Sequence, residues 1–170
     1  MEKVHEICIE MLEQRNYIIS EYDDTQIIAI KPDGCYVCVF LINIDKFNTS
    51  CIQEYVNILN KIEIKHGIII YKDVITSVAK KLIETMTELK IELFNMNELM
   101  FNITKHRLQP KFELLEEELY KSYKKQYGST FLVMLKSDPI ARFYGYEKNS
   151  IIKITRNDNG IKTISFRIVR

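Results

Sequence analysis

Several side chains here have the types and spacing that chemistry needs. Cys35-Tyr36-Val37-Cys38 has the interval of a redox pair or of half a zinc site. A structural zinc site needs a second ligand pair, and Cys8, Cys51, His5, His66 and His106 are not spaced as one. A redox pair uses a helix N-terminus to lower a thiol pKa. This pair opens a predicted strand instead, where residues i and i+3 face opposite ways. It reads as buried thiols, and neither a metal nor another cofactor is expected. Asp33, followed by a strand, and Glu63-Ile64-Lys65 have the types that hold Mg²⁺ and activate water in nucleases. The strand after Asp33 offers Val37, Val39 and Leu41, with no carboxylate and no lysine. Glu63-Ile64-Lys65 falls at a helix end and reads as solvated surface. No Ser/His/Asp or Cys/His set has a recognisable local context. With five glycines in the chain there is no Gly-rich phosphate loop.

Two further groups are cationic. Lys121, Lys124 and Lys125 alternate with Tyr120, Tyr123 and Tyr127, a combination found where nucleic acid is bound. Glu116-Glu117-Glu118 precedes them, and acid early with base late suits the two ends of a helix dipole. A mixed-charge solvated helix is the simpler reading. The second group is Ser137-Asp138-Pro139-Ile140-Ala141-Arg142-Phe143-Tyr144-Gly145. Asp138 is a good N-cap, and Pro139 follows where a missing N–H costs nothing. Gly145 can end the turn in the left-handed conformation. Ile151 to Ile154 then reads as a strand. The apolar side of the turn should pack inward, leaving Arg142 outward to pair with a carboxylate.

The elements that position these groups follow from periodicity. Val4, Ile7, Cys8, Met11 and Leu12 predict an amphipathic helix that Asn16-Tyr17 ends. Ile27 to Ile30 predicts a strand, Lys31-Pro32-Asp33-Gly34 a hairpin turn, and Cys35 to Ile44 a strand buried on both faces. Thr49 or Ser50 would cap a helix that faces inward through Ile52, Tyr55, Val56 and Leu59, with His66-Gly67 breaking it. Ile68 to Tyr71 predicts a strand, and Val74 to Leu89 a helix with Ile75, Val78, Ala79, Leu82, Ile83 and Met86 inward. Ile91 to Phe94 predicts another strand. This alternation points to an α/β unit with parallel pairs. Residues 97–110 read as a connection. A helix from Leu114 to Gln126 ended by Gly128, a strand from Phe131 to Leu135, a turn at Asn157-Asp158-Asn159-Gly160 and a strand from Ile164 to Val169 complete the chain.

Length suits one domain or two small ones, and the composition is that of a soluble globular protein. No apolar run is long enough for a membrane span, and the first residues do not form a signal peptide. The net charge of +1 conceals an asymmetry. Residues 1–102 hold 10 basic and 16 acidic side chains, a net of −6; residues 103–170 hold 14 and 7, a net of +7. Two units with different surfaces are expected.

Asp138, Pro139, Ala141, Arg142, Tyr144 and Gly145, then Lys153, Ile154 and Arg156, then Phe166, Arg167 and Val169 make up a spaced pattern. It resembles the C-terminal module of the fifth subunit shared by nuclear DNA-directed RNA polymerases, a module whose archaeal counterpart is a small polymerase subunit without the N-terminal part. Ile103-Thr104-Lys105-His106-Arg107-Leu108-Gln109-Pro110 resembles the family's segment at the domain junction. The family's Leu-Pro-Arg-Ile strand is Phe131-Leu132-Val133-Met134 here, and the glycine of its link is Asn149. The resemblance implies an N-terminal restriction-endonuclease-like α/β jaw domain over 1–102 and a small C-terminal two-layer α+β domain with a mixed sheet over 103–170. It implies a non-catalytic subunit that binds the largest polymerase subunit through Asp138, Pro139, Arg142, Tyr144, Gly145, Lys153, Arg156 and Arg167. The jaw would lie near downstream DNA, with Thr76, Ser77, Lys80 and Lys81 closest. Thr76 to Lys80 aligns with a Thr-Pro-x-Ala stretch of that jaw, without its proline. The isolated chain is expected to be a monomer that binds duplex weakly and no membrane. A cellular member would work in the nucleus. The Ile, Lys and Asn content suits the AT-rich genome of a large DNA virus, and a viral member would work in host cytoplasm or virion. The alternatives are a Mg²⁺-dependent nuclease-like DNA-binding enzyme and a free-standing adaptor.

Overall fold

Val4, Ile7, Cys8, Met11 and Leu12 are all buried along α1 (Glu2–Gln14) in the computed structural model. The structure describes residues 2–44, 46–127, 131–158 and 160–170, with the backbone alone for Lys46, Glu117, Tyr127 and Asp158. The chain divides into two units, Met1–Asn102 and Ile103–Arg170.

In the first unit α1 is followed by β1 (Ile18–Tyr22), β2 (Gln26–Ile30), β3 (Tyr36–Ile42), a short β4 (Lys46–Phe47), α2 (Thr49–Lys61) and β5 (His66–Tyr71). A short β6 (Val74–Ile75), α3 (Ser77–Thr85) and β7 (Lys90–Asn95) complete it. The main sheet has the order β1-β2-β3-β5-β7. β1, β2 and β3 pair antiparallel, whereas β3, β5 and β7 pair parallel. β4 and β6 form a separate parallel pair. Cys38, Phe40, Ile42 and Ile69 face Ile52 and Leu59 of α2 and Ala79 and Ile83 of α3 in one core. Val37, Val39 and Leu41 are buried too and alternate with that set, so β3 is covered on both faces. α1 lies on the second face. Arg15, just past its end, reaches Glu92, whose neighbours Ile91 and Leu93 pack on the α2–α3 side.

Several boundaries differ from the sequence expectation. β1 was not expected. The cap of α2 is Asn48, whose side chain accepts from the Cys51 N–H at 3.1 Å, rather than Thr49 or Ser50. His66-Gly67 does not break α2 but lies in β5. The helix ends where Glu63 takes φ 57° and the Ile64 N–H donates to the Leu59 carbonyl at 3.0 Å. α1 ends the same way at Asn16, φ 62°, with Tyr17 donating to Leu12. At Gly67 a Cβ would meet Leu59 Cδ1 at 2.7 Å, so a side chain there would have to displace Leu59. α3 is shorter than predicted at both ends. Val74 and Ile75 pair with β4, Thr76 caps the helix, and Met86 is extended. Val78 consequently points outward, 68% exposed.

The second unit contains β8 (Lys111–Leu114), α4 (Glu117–Tyr127), β9 (Leu132–Met134), α5 (Pro139–Tyr144), β10 (Ile151–Asp158) and β11 (Ile161–Val169). The sheet order is β8-β10-β11-β9, antiparallel except for the β11–β9 pair. It is mixed, as expected. The helix predicted from Leu114 begins only at Glu117, because Lys111–Leu114 pairs with β10. Gly128, read as its end, lies outside the described residues, as does Asn159 of the predicted turn. Ile140, Ala141 and Tyr146 pack on Met134, Ile152, Ile154 and Val169 on one sheet face. Phe166 is paired with Lys153 and so projects from the other face, where Tyr123 of α4 meets it at 4.8 Å between ring centroids. α4 thus adds a layer to the two that were expected.

Candidate partner-binding cleft

Asp138 Oδ1 accepts the Ile140 N–H at 2.9 Å, and Pro139 occupies the first turn of α5. Gly145 takes φ 66° and ψ 33°, which a residue with a Cβ adopts only under strain. Its N–H donates to the Arg142 carbonyl, and the next N–H, of Tyr146, donates to Ala141. These three residues fix where α5 starts, how it turns and where it ends.

Alternation along β10 puts Ile152, Ile154 and Arg156 on one face and Lys153 on the other. The register sets Arg167 opposite Ile152, so Arg167 shares the face that α5 covers. Between that face and the start of α5 lies a cleft of about 350 Å³. Pro110, Phe112, Pro139 and Ile154 give it apolar walls, and Asp138, Arg156 and Arg167 give it charge. Arg156 is exposed and Arg167 half-buried. Arg167 Nε is buried and has no hydrogen-bond partner among the described residues. Such a donor costs about 1–3 kcal/mol when left unsatisfied. Arg156 and Arg167 nonetheless both line the cleft, and a guanidinium suits a carboxylate best.

The other predicted contact residues lie elsewhere. Arg142 does not line the cleft; it is half-buried and already engaged within the chain. The Tyr144 ring stacks on Tyr146, with centroids 5.2 Å apart. Lys153 Nζ lies 3.6 Å from Glu113 Oε2, and Glu113 also holds Lys111 at 2.7 Å. Those lysines keep the Glu113 carboxyl below its ordinary range. In the first unit Thr76 Oγ1 accepts the Ala79 N–H at 3.3 Å, while Ser77, Lys80 and Lys81 are exposed. Phe112 lines the cleft without having been singled out, and Met134, named only as the end of a strand, lines it too. Only the β8 pairing, absent from the predicted elements, would have located Phe112.

The residues considered for catalysis have structural surroundings. Asp33 is exposed in the β2–β3 turn, where its Oδ1 accepts the Cys35 N–H at 3.0 Å. Burial pushes the Cys38 thiol up to about 12, the opposite of a reactive pair. The described residues contain no group of three or more His, Cys, Asp or Glu able to hold a metal. No described helix is long and apolar enough to cross a membrane.

Sequence reasoning missed one polar constellation. Arg15 Nη1 and Nη2 donate to the two oxygens of Glu92 at 3.0 and 2.8 Å. His66 Nε2 lies 2.7 Å from Glu92 Oε1, and its Nδ1 lies 3.2 Å from the Tyr17 hydroxyl. Burial pushes the Glu92 carboxyl up, but the Arg15 charge and the hydrogen bonds from His66 and Arg15 outweigh it. The carboxyl ends well below its ordinary range. Burial also pushes the Tyr17 hydroxyl up to about 12. These groups are paired with one another within the first unit.

The chain is thus a two-unit α/β and α+β protein whose second unit carries a cleft lined by two arginines. The family described as RNA polymerase Rpb5, C-terminal domain, matches residues 101–169. The putative DNA-directed RNA polymerase subunit 454R of Invertebrate iridescent virus 6 is 31% identical, over 99% of this chain and 98% of its own. The DNA-directed RNA polymerases I, II, and III subunit rpabc1 of Dictyostelium discoideum is 28% identical, over 98% and 95%. The chain belongs to the family of the fifth subunit of DNA-directed RNA polymerases, whose members are polymerase components rather than enzymes by themselves. Among solved structures, that of EndoMS in apo form is 19% identical with a TM-score of 0.34, over 54% of this chain and 45% of its own. That likeness is too low to carry an argument.

Proposed function

We propose that the chain acts in transcription as a non-catalytic subunit whose second unit fastens it to the largest subunit of a multisubunit RNA polymerase. The cleft beside α5 takes a carboxylate-bearing segment of that partner, with Arg167 and Arg156 as donors and Pro110 and Phe112 as apolar walls. The observation that carries this reading is the pair Arg156 and Arg167 lining one cleft with Asp138 and Pro139. The +7 charge of residues 103–170 suits an acidic partner face. The first unit serves as a jaw of restriction-endonuclease-like arrangement near downstream DNA, with Thr76, Ser77, Lys80 and Lys81 on the DNA side. The exposure of both lysines at the start of α3 supports that side. The unit's net charge of −6 leaves the main grip on the duplex to other subunits. The isolated chain is a monomer. The protein works in the nucleus of a cell, or in host cytoplasm or virion if viral.

The test is co-purification of the tagged full chain with the polymerase. Arg156→Glu and Arg167→Met should keep the fold by circular dichroism and lose most of the co-purified largest subunit. Losing one partner of a buried interfacial charge pair costs about 2–5 kcal/mol. Unchanged co-purification of both variants overturns the cleft as the contact. A nuclease reading would require Mg²⁺-dependent cleavage abolished by Asp33→Ala. Nothing in the surroundings of Asp33 favours it.

A further inference from the structure

A second open surface lies in the first unit, and its occupant need not be the one that fills the cleft beside α5. Beyond the C-terminal end of β3 there is a groove of about 1180 Å³. At this end β3 has antiparallel β2 on one side and parallel β5 on the other, while α1 and α2 lie on opposite sheet faces. Crevices outside the carboxyl ends of strands are common ligand positions in α/β sheets. The groove exceeds the roughly 300–1,000 Å³ typical of small-molecule pockets.

Its chemistry is two-sided. Phe40 and Tyr55, with ring centroids 4.9 Å apart, form part of an apolar floor. Tyr22 and Ile44 extend that floor to the rim and are 67% and 42% exposed. Around them stand five carboxylates: Glu2, Glu6, Asp23, Asp24 and Glu54. Among the described residues the lining includes no lysine or arginine. His5 is the sole basic type among them, and it lies against the Tyr22 ring with Nε2 3.2 Å from the Asp23 carbonyl. The Thr25 N–H and hydroxyl and the Gln26 N–H all donate to Asp23 Oδ1, which favours its ionised form.

We infer that this groove takes a basic amphipathic helix of a protein partner, its apolar stripe on Tyr22, Ile44 and Tyr55 and its lysines or arginines among the five carboxylates. Recognition of this kind reads apolar anchors at helical spacing, with the flanking charge setting partner choice. Nucleic acid is excluded by the same charge that attracts the helix.

The probe is a labelled Leu/Lys helical-repeat peptide of about 18 residues, some 27 Å long as a helix, titrated into the full chain at low salt by fluorescence anisotropy. It should bind, weaken as salt rises, and bind at least about tenfold more tightly than its Leu/Glu counterpart. Ile44→Asp, and separately the pair Asp24→Lys with Glu54→Lys, should each weaken it about tenfold or more. The control pair Glu84→Lys with Glu88→Lys, exposed and outside the groove, should leave binding unchanged. Equal weakening by the control pair overturns the proposal, because the attraction would then be general acidity. Parent-like binding by Ile44→Asp also overturns it. So does a self-associated chain that the peptide dissociates in sedimentation, which would make the groove an interface between copies.

Discussion

Arg15 in the first unit and Arg167 in the second both rest against a sheet, and they end differently. Arg15 has both terminal nitrogens on Glu92, and Glu92 is held again by His66, so the charge is closed within the chain. Arg167 has a buried nitrogen with no acceptor among the described residues, beside an open cleft. A closed pair stabilises a unit, whereas an unsatisfied buried donor costs stability. The difference makes Arg15 structural and, on the proposed reading, leaves Arg167 for a partner, although both are the same residue type against the same kind of surface.

The contrast breaks most visibly through stability. Glu92→Ala leaves the Arg15 guanidinium, 4% exposed, buried without this counter-charge. Loss of one partner of a buried pair costs about 3–5 kcal/mol, which denaturant unfolding of the first unit would measure. Arg167→Met should change the stability of the second unit by less than about 1 kcal/mol, or raise it, since an unsatisfied donor is removed. If both variants are equally destabilised, Arg167 is structural too and the contrast fails.

A smaller effect appears with pH. The folded Glu92 carboxyl lies well below its ordinary value of 4.5. Below that value the unfolded chain takes up this proton before the folded chain does. The stability that Glu92 contributes is therefore complete above 4.5 and is lost as pH falls toward the depressed folded value. Unfolding followed from neutral to acid pH should show a steeper loss for the parent than for Glu92→Gln. Parallel curves would mean that Glu92 is not held as the geometry indicates.

Next in size is Gly145→Val. At φ 66° a side chain costs about 1–2 kcal/mol, and a β-branched one is especially ill-suited. The second unit should melt lower, while the first keeps its transition. An unchanged second transition would mean that the α5 end is not held as described.

These positions also show what a sequence can disclose. The capped turn of α5 was legible because Asp138, Pro139 and Gly145 each act on their own local backbone. α1 and the core of β3 were legible because burial imposes a period. β1 was not, since Ile18–Tyr22 is an edge strand, mostly exposed, with no alternation to read. β8 was hidden because its four residues run into a helical pattern. Asp138, Pro139, Arg156 and Arg167 each stand out in the sequence, but their convergence depends on the β10–β11 register and on where α5 sits. The Arg15–Glu92 pair spans 77 residues, and no periodicity says which polar side chains on separate elements will meet.

Another small effect bears on the first unit's surface, where a structural and a functional reading coincide on one residue. Resemblance puts Thr76 near DNA, yet its hydroxyl oxygen accepts the Ala79 N–H and its own N–H donates to the Phe47 carbonyl at 3.1 Å. Thr76→Ala removes the cap and should lower the first unit's stability by about 1 kcal/mol. Thr76→Asp restores a cap acceptor and adds a negative charge at the start of α3, which the helix dipole favours. Stability should return with Asp. If Thr76 is only a cap, polymerase containing the Asp variant should engage template like the parent. If the start of α3, with exposed Ser77, Lys80 and Lys81, lies near downstream DNA, the restored fold should carry a template defect that grows as salt is lowered, because the added charge repels phosphate most when least screened. Stability rescued without that defect would confine Thr76 to the structural role.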